Sequence, residues 1–284
     1  MLRVDYCRAG LLLFMTMLAA CTEQEPTAGG PATRDDNLAL GNPSGAVADA
    51  TQYGNYLLVK PQYTLSYHRD RGTPNWVSWH LSSAWLGSAA RQDDFRADNT
   101  LPAGWYQVSA SSYSGSGFDR GHNCPSADRT GSSSDNSATF LMSNMIPQAP
   151  QNNQQTWASL ENYCRTLVNS GNELYITMGQ YGKGGTGSAG YYTTLSSGHV
   201  TVPKRIWKVI VVLPNGTGDA ARVTSSTRVI AVDTPNDNSL NPNWSTYRTS
   251  VDAIEQATGY DLLSAVSGTV QNTLEAKVDN GPVQ

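Results

Sequence analysis

The chain is short of charge. Of its 284 residues only 15% are Asp, Glu, Lys or Arg, and the formal net charge is −4 with the histidines neutral. A protein that coats nucleic acid carries a strong basic excess, so this balance excludes a scaffolding role. It does not exclude an enzyme, which needs only a few cations at its site. Cysteine and histidine are equally sparse, at four each. Gly182-Lys183-Gly184-Gly185 lacks the order of a phosphate loop, and no helical pattern follows it, so the Gly179–Gly190 stretch reads as a flexible surface loop. There is no internal repeat and no second linker.

The apolar run from Ala9 to Ala20 is too short to span a bilayer and matches the core of a signal peptide, with Arg3 and Arg8 around a positive start that Asp5 dilutes. It ends Leu18-Ala19-Ala20-Cys21, which resembles a bacterial lipobox, so residues 1–21 read as a leader with lipidation at Cys21. The alternative is plain secretion with cleavage near Ala20. Either way the expectation is an exported protein, membrane-anchored as a lipoprotein or else secreted or periplasmic. Residues 22–37 read as a disordered tether and 38–278 as a single domain. Cys7 leaves with the leader and Cys21 carries lipid, which leaves Cys124 and Cys164. In an oxidising compartment those two are expected to pair as a disulfide, the alternative being two buried thiols.

Short β-prone runs at 56–59 and 63–67 precede Trp76 to Leu81, where Val77, Trp79 and Leu81 alternate with Trp76, Ser78 and His80. Leu174 to Met178 and Arg228 to Val232 read as further strands. Ile206 to Leu213, apolar on both faces except for Lys208, reads as a central one. A helix is expected to begin at Asn153, with Trp157, Leu160, Cys164, Leu167 and Val168 on its apolar face and Gly171 closing it. A second helix spans about 247–258 and ends at Gly259. The order of elements predicts an α+β fold, a mixed, mainly antiparallel sheet with flanking helices. The seven tryptophans and fourteen tyrosines fall mostly in strand or helix periods and are assigned to the core rather than to base stacking.

The chemistry concentrates in two places. Asp119-Arg120-Gly121-His122 delivers an imidazole after a glycine read as a sharp turn. A ring that titrates near neutrality can take a proton from water, and Arg120 and Arg165 are candidates to hold nonbridging phosphate oxygens. On the helix, Asn153 and Glu161 lie about 80° apart around the axis and about 12 Å along it. Asn153 can give a cation its carbonyl oxygen, and Glu161 can act through a bound water, a donor set that suits Mg²⁺. The alternatives are routine helix devices: an N-cap for Asn153 and an intrahelical pair with Arg165 for Glu161. His68, His80 and His199 read as structural or exposed.

The run Asp119-Arg120-Gly121-His122-Asn123-Cys124-Pro125-Ser126-Ala127-Asp128 resembles the signature of the DNA/RNA non-specific endonucleases. These are the sugar-nonspecific ββα-metal (His-Me finger) nucleases, a group that includes endonuclease G. The likeness continues through Phe140 to Gln148, Asn153 to Arg165, and Arg91-Gln92-Asp93-Asp94-Phe95-Arg96, so it spans about residues 37–260. It implies a ββα-metal active-site motif and a nuclease using one Mg²⁺ or Mn²⁺ on DNA and RNA, with 5′-phosphate and 3′-hydroxyl products. In that frame His122 is the general base, Asn153 the direct metal ligand and Glu161 the acid acting through water. Arg120 and Arg165 contact phosphate, as does Arg91, for which Arg96 is the competing choice. Asn144 would orient the histidine region or the substrate.

Cys124 departs from the small apolar residue expected there, and a zinc site from His122, Cys124 and Cys164 is the sharper alternative to the disulfide. Two further functions stand beside the nuclease: a non-catalytic extracellular lipoprotein binding nucleic acid or a partner, and a phosphodiesterase confined to small dinucleotides. A toxin role would add a proteinaceous inhibitor as partner. The sequence leaves the oligomeric state open.

Overall fold

A computed structural model describes residues 1–2 and 30–283. Residues 3–21 of the expected leader, Cys21 included, and residues 22–29 of the expected tether therefore lie outside the described residues. The chain opens with a meander of β1 (Tyr56–Val59), β2 (Thr64–His68) and β3 (Thr73–Leu81). A hairpin of β4 (Asp119–His122) and β5 (Met145–Gln148) follows, with helix α1 (Ser133–Ala138) in its connection. A helical segment then passes through a wide turn at Asn152–Trp157 into α2 (Ala158–Asn169). Next come β6 (Asn172–Tyr181), the ribbon of β7 (Gly185–Gly187) and β8 (Gly190–Tyr192), and the ribbon of β9 (Thr194–Leu195) and β10 (Val200–Thr201). β11 (Arg205–Pro214), helix α3 (Asp219–Arg222), β12 (Arg228–Pro235) and β13 (Arg248–Thr249) complete the strands, and α4 (Val251–Thr258) and α5 (Gly268–Glu275) close the chain.

One seven-stranded sheet runs in the order β1-β2-β3-β6-β11-β12-β13. Every ladder in it is antiparallel, and parallel pairing is confined to isolated bridges such as Val47 with Tyr56. This is the α+β architecture expected, with the mixed character reduced to those bridges. β3, β6 and β11 form the centre, and β3 is buried along its whole length. Its alternation separates two cores. Val77, Trp79 and Leu81 pack with Trp157, Leu160 and Cys164 of the helix on one face, while Trp76 packs with Trp207, Val251 and Ile254 on the other. Six of the seven tryptophans are buried, in line with their assignment to the core.

The 90-residue excursion between β3 and β6, residues 82–171, carries the hairpin and the helix as one inserted unit on a sheet that is otherwise sequentially wound. Both helices of the sequence reading are present. Gly171 follows the first at φ +88°, and Gly259 caps the second at φ +75°, a conformation glycine adopts without steric cost. The second helix is shorter than expected: Ser250 accepts the Ala253 N–H and starts it at Val251, after a separate turn at Trp244–Tyr247.

Several boundaries and assignments need correction. The end of the expected tether is part of the body. Asn37 is buried and its side chain donates to the carbonyl of Pro61 and accepts the His80 N–H, while Arg34 stacks on Trp85. The domain also continues past residue 278, because Asp279 takes both Arg228 and Arg248 and the Pro282 carbonyl accepts the Tyr163 hydroxyl. Gly179–Gly190 is not a plain loop but the end of β6 and the β7–β8 ribbon. Cys124 and Cys164 are free thiols sealed in one core, so the disulfide is replaced by the buried-thiol alternative. Burial pushes each of them up to about 12, so they stay protonated and are poor zinc ligands.

Candidate active site

The glycine before His122 serves a close approach rather than a turn. Gly121 lies within β4, opposite Ile146, and a Cβ placed on it would sit 2.3 Å from Gln148 Oε1 and 2.6 Å from Gln148 Cβ. Strand alternation then sends Asp119 to one face of the hairpin and Arg120 and His122 to the other. On the latter face Phe95 receives both: the Arg120 guanidinium stacks 4.0 Å from its centroid, and the His122 ring meets it edge-to-face at 5.5 Å. Phe140 holds the His122 ring from another side at 4.9 Å.

The helix starts three residues earlier than expected, with Pro150 in the first turn, where its missing N–H costs nothing. Asn153 is therefore inside the helix, and its N–H donates to the Ala149 carbonyl. It caps nothing. Its side-chain Nδ2 donates to Asp119 Oδ2 at 2.8 Å, and Gln154 Nε2 donates to the same oxygen at 2.8 Å. With the nitrogen committed to Asp119, Oδ1 is the atom of this cleft-lining side chain left to coordinate. The wide turn at Asn152–Trp157 also changes the helix phase. Each residue of an i→i+5 turn rotates roughly 15° less than in an α-helix, so about four such steps remove most of the ~80° between Asn153 and Glu161.

These elements open on a cleft of about 380 Å³, lined by Arg91, Asp93, Phe95, Asp119, Arg120, Asn153 and Gln154 and also by Tyr113, Ser114 and Phe118. His122 stands behind Phe95 with Nε2 enclosed and without a hydrogen-bond partner. Such an orphan is costly, and it persists where a ligand or a reaction uses it. Burial first, then the Arg91 and Arg120 guanidinium charges, push His122 down to about 3. The imidazole is thus neutral in the free protein and able to accept a proton.

Arg91 lines this cleft, stacked 4.8 Å from the Phe140 centroid and donating to Ser126. Arg96 does not: it is held by Asp94 and the Ser137 carbonyl. Of the two arginines, Arg91 is the one that lines the cleft. Arg165 is a correction. Its guanidinium pairs with buried Asp128 at 2.7 Å and with Asn162, away from the cleft lining. Glu161 is not paired with Arg165 either. Its partner is the fully buried Lys208 at 3.5 Å, the one charge noted in an otherwise apolar strand, whose ammonium lies over the rings of Trp79 and Trp157 at 5.4 and 5.1 Å. Burial chiefly, against the pull of Lys208, raises the Glu161 carboxyl above its usual range.

Asn144 is fully enclosed and never reaches the cleft. It accepts the Cys124 N–H and donates to the Cys124 and Thr139 carbonyls, so it fixes the segment following His122 rather than touching substrate. The residue that the sequence reading missed is Asp119. Its signal was present, as the acid opening the Asp-Arg-Gly-His run, but only folding brings it against two amides 34 and 35 positions away.

A family model described as DNA/RNA non-specific endonuclease matches residues 40–269. This chain belongs to that family. A nuclease of Nostoc sp. is 54% identical over 244 residues, covering 86% of each chain. Mitochondrial endonuclease G of Homo sapiens is 35% identical over 162 residues, 55% of this chain and 54% of that protein. Among solved structures, a chain from the crystal structure of the EndoG/EndoGI complex superposes with a TM-score of 0.65 at 23% identity, over 81% of this chain and 91% of that one. At that identity the last likeness shows the fold. The nuclease is an endonuclease by family, and the binding-only alternative loses its ground.

The donor set fits the divalent cation that the resemblance implies. Asn153 Oδ1 and the carboxylate of Asp119 are hard oxygens at an open cleft, where water can complete a shell. A second group, Asp35, His80 and Glu173, places ligand atoms within 4.8 Å of one another. It is served by protein instead: Arg222 pairs with Glu173, and the Asp35 N–H donates to His80 Nδ1.

The His122 shift has a measurable sign. Below about 6.5 the unfolded ring binds a proton that the folded ring refuses, so its contribution to stability is full above that pH and drains as pH falls toward 3. Imidazole NMR of the nuclease without substrate should show His122 neutral at pH 5, with a higher midpoint after Arg91→Ala or Arg120→Ala. A midpoint above 6 in the unmodified protein would contradict the assignment.

Proposed function

We propose that the nuclease hydrolyses phosphodiester bonds of DNA and RNA with one Mg²⁺ or Mn²⁺, His122 acting as general base. The observation that carries this is an imidazole whose Nε2 is buried without a partner, on the hairpin whose Asp119 orients Asn153, with Arg120 of the same strand and Arg91 beside it. Burial is the larger cause of His122 being held low, and a phosphodiester seated on Arg91 and Arg120 offsets the smaller, repulsive part, so the ring gains proton affinity when substrate arrives. It then takes the proton of the attacking water. The bond from phosphorus to the 3′ oxygen breaks, and that oxygen leaves with the bonding pair and takes a proton from solvent water to become a hydroxyl, with the phosphate remaining on the 5′ side.

Asn153 Oδ1 would hold a divalent cation, which when bound would supply Lewis-acid stabilisation of the developing negative charge. Asp119 holds the Asn153 amide in place, and Glu161, tied to Lys208, acts on that site through water. Contacts to backbone rather than bases make the nuclease sequence-nonspecific, with activity that falls as salt rises. A proteinaceous inhibitor would act most simply by filling the same cleft.

Purified protein incubated with plasmid or RNA in Mg²⁺ should digest both. Excess EDTA should abolish digestion, and His122→Ala should lower kcat by about 10²–10⁴ while leaving binding measured in EDTA intact. Unchanged digestion in EDTA, or full activity in His122→Ala, would defeat the reading. We further propose export by the leader and lipid anchoring at Cys21. Cys21→Ser should then move the protein from the membrane fraction to the soluble one, and an unchanged distribution would refute the anchor.

A further inference from the structure

We infer that the carboxylates of Asp252, Glu255 and Glu275 form a Ca²⁺ site that locks the C-terminal helix α5 onto α4, independently of the catalytic cleft. One carboxylate oxygen from each residue lies within 4.8 Å of the other two. The local sequence makes the arrangement. Asp252 and Glu255 are three apart on α4 and so share a helical face. Glu275 ends α5 and is brought against them because Leu274 beside it is anchored in the core with Leu40, Leu263 and Val266.

The second observation is the state of Glu275. Its side chain is buried, the residue being 4% exposed, and its Oε1 is enclosed with no hydrogen-bond partner. An unpaired buried carboxylate oxygen is among the costliest groups a fold can carry. Among the described residues no lysine or arginine answers it. Lys277, two positions on, donates to the Ser225 carbonyl instead, and Arg228 and Arg248 are both taken by Asp279. Gln271 beside it offers only a neutral amide, which donates to Asp261, and Asp261 is another acid that adds to the negative field rather than relieving it. The last turn of α5 brings its carbonyl ends to the same spot, which also favours a cation.

The donor chemistry selects the ion. All three ligands are hard oxygens, with no nitrogen or sulfur among them. Glu255 already spends Oε1 on the Leu262 N–H at 2.7 Å, leaving Oε2 for a cation. Asp252 is exposed and leaves one side open to water. A large ion that accepts six to eight oxygens in irregular geometry, partly from solvent, fits better than Mg²⁺ with its strict octahedron.

Thermal unfolding of the whole protein at pH 7.5, with and without CaCl₂ after chelation, tests this. The melting temperature should rise by about 5–10 °C with Ca²⁺ well above its dissociation constant. Asp252→Asn and Glu275→Gln should each abolish most of that rise, and Glu275→Gln should melt higher than the unmodified protein when both are calcium-free. Asn153→Ala must keep the full rise, which separates this site from the catalytic one. No rise in the unmodified protein, or an equal rise in Asp252→Asn and Glu275→Gln, would overturn the proposal. Loss of the rise in Asn153→Ala would place the effect in the cleft and overturn it equally.

Discussion

One carboxylate holds the site together. Asp119 reaches from the first strand of the inserted hairpin to the first turn of the helix and accepts two side-chain amides at once. That pair of bonds fixes which end of the Asn153 side chain faces the cleft, a choice that an unrestrained amide would leave to rotation. It also ties the strand bearing His122 to the helix bearing Glu161. The close contact of Gly121 with Gln148 and the proline at the helix start serve the same joint, since each lets backbone approach where a side chain or an N–H would interfere. The hairpin, the wide turn and α2 are thus one mechanical unit laid on a broad antiparallel sheet.

Charge is distributed to match. The molecule is acidic overall, but the cleft brings Arg91 and Arg120 together beside a neutral histidine. Neighbouring charges are balanced in pairs: Lys208 with Glu161 beside two tryptophan rings, and Arg165 with Asp128. Removing one partner of such a pair leaves an uncompensated charge in the core, so Lys208, Arg165 and Asp128 support the site without lining the cleft. Arg129 shows the same economy. It is fully buried, yet its guanidinium is satisfied by the carbonyls of Gln62, His80 and Asp128 and stacks on Trp85.

Much of the fold was legible in the sequence because period and punctuation carried it. The alternation of 76–81, the apolar run of 206–213 and the glycines at 171 and 259 mark real strands and helix ends. What was not legible depends on contacts between distant residues. Arg165 and Glu161 are one helical turn apart, and their spacing suggested a pair, but tertiary partners claim both. Lys208 looked like an exception in a core strand until the helix brought an acid to it. Gly121 signalled backbone freedom, whereas its actual constraint is space, which depends on a residue 27 positions away. The i→i+5 turn has no sequence rule that would have announced it, and neither does a cysteine's failure to find its partner.

The central claim is that the imidazole at 122 and the amide oxygen at 153 face one bound ion. Paramagnetic broadening of the histidine ring signals by substoichiometric Mn²⁺, in calcium-saturated protein, measures this directly. His122 should broaden first and strongly, His80 and His199 far less, and Asn153→Ala should remove the difference. Uniform weak broadening of all the histidines, or selective broadening that survives Asn153→Ala, would contradict the account.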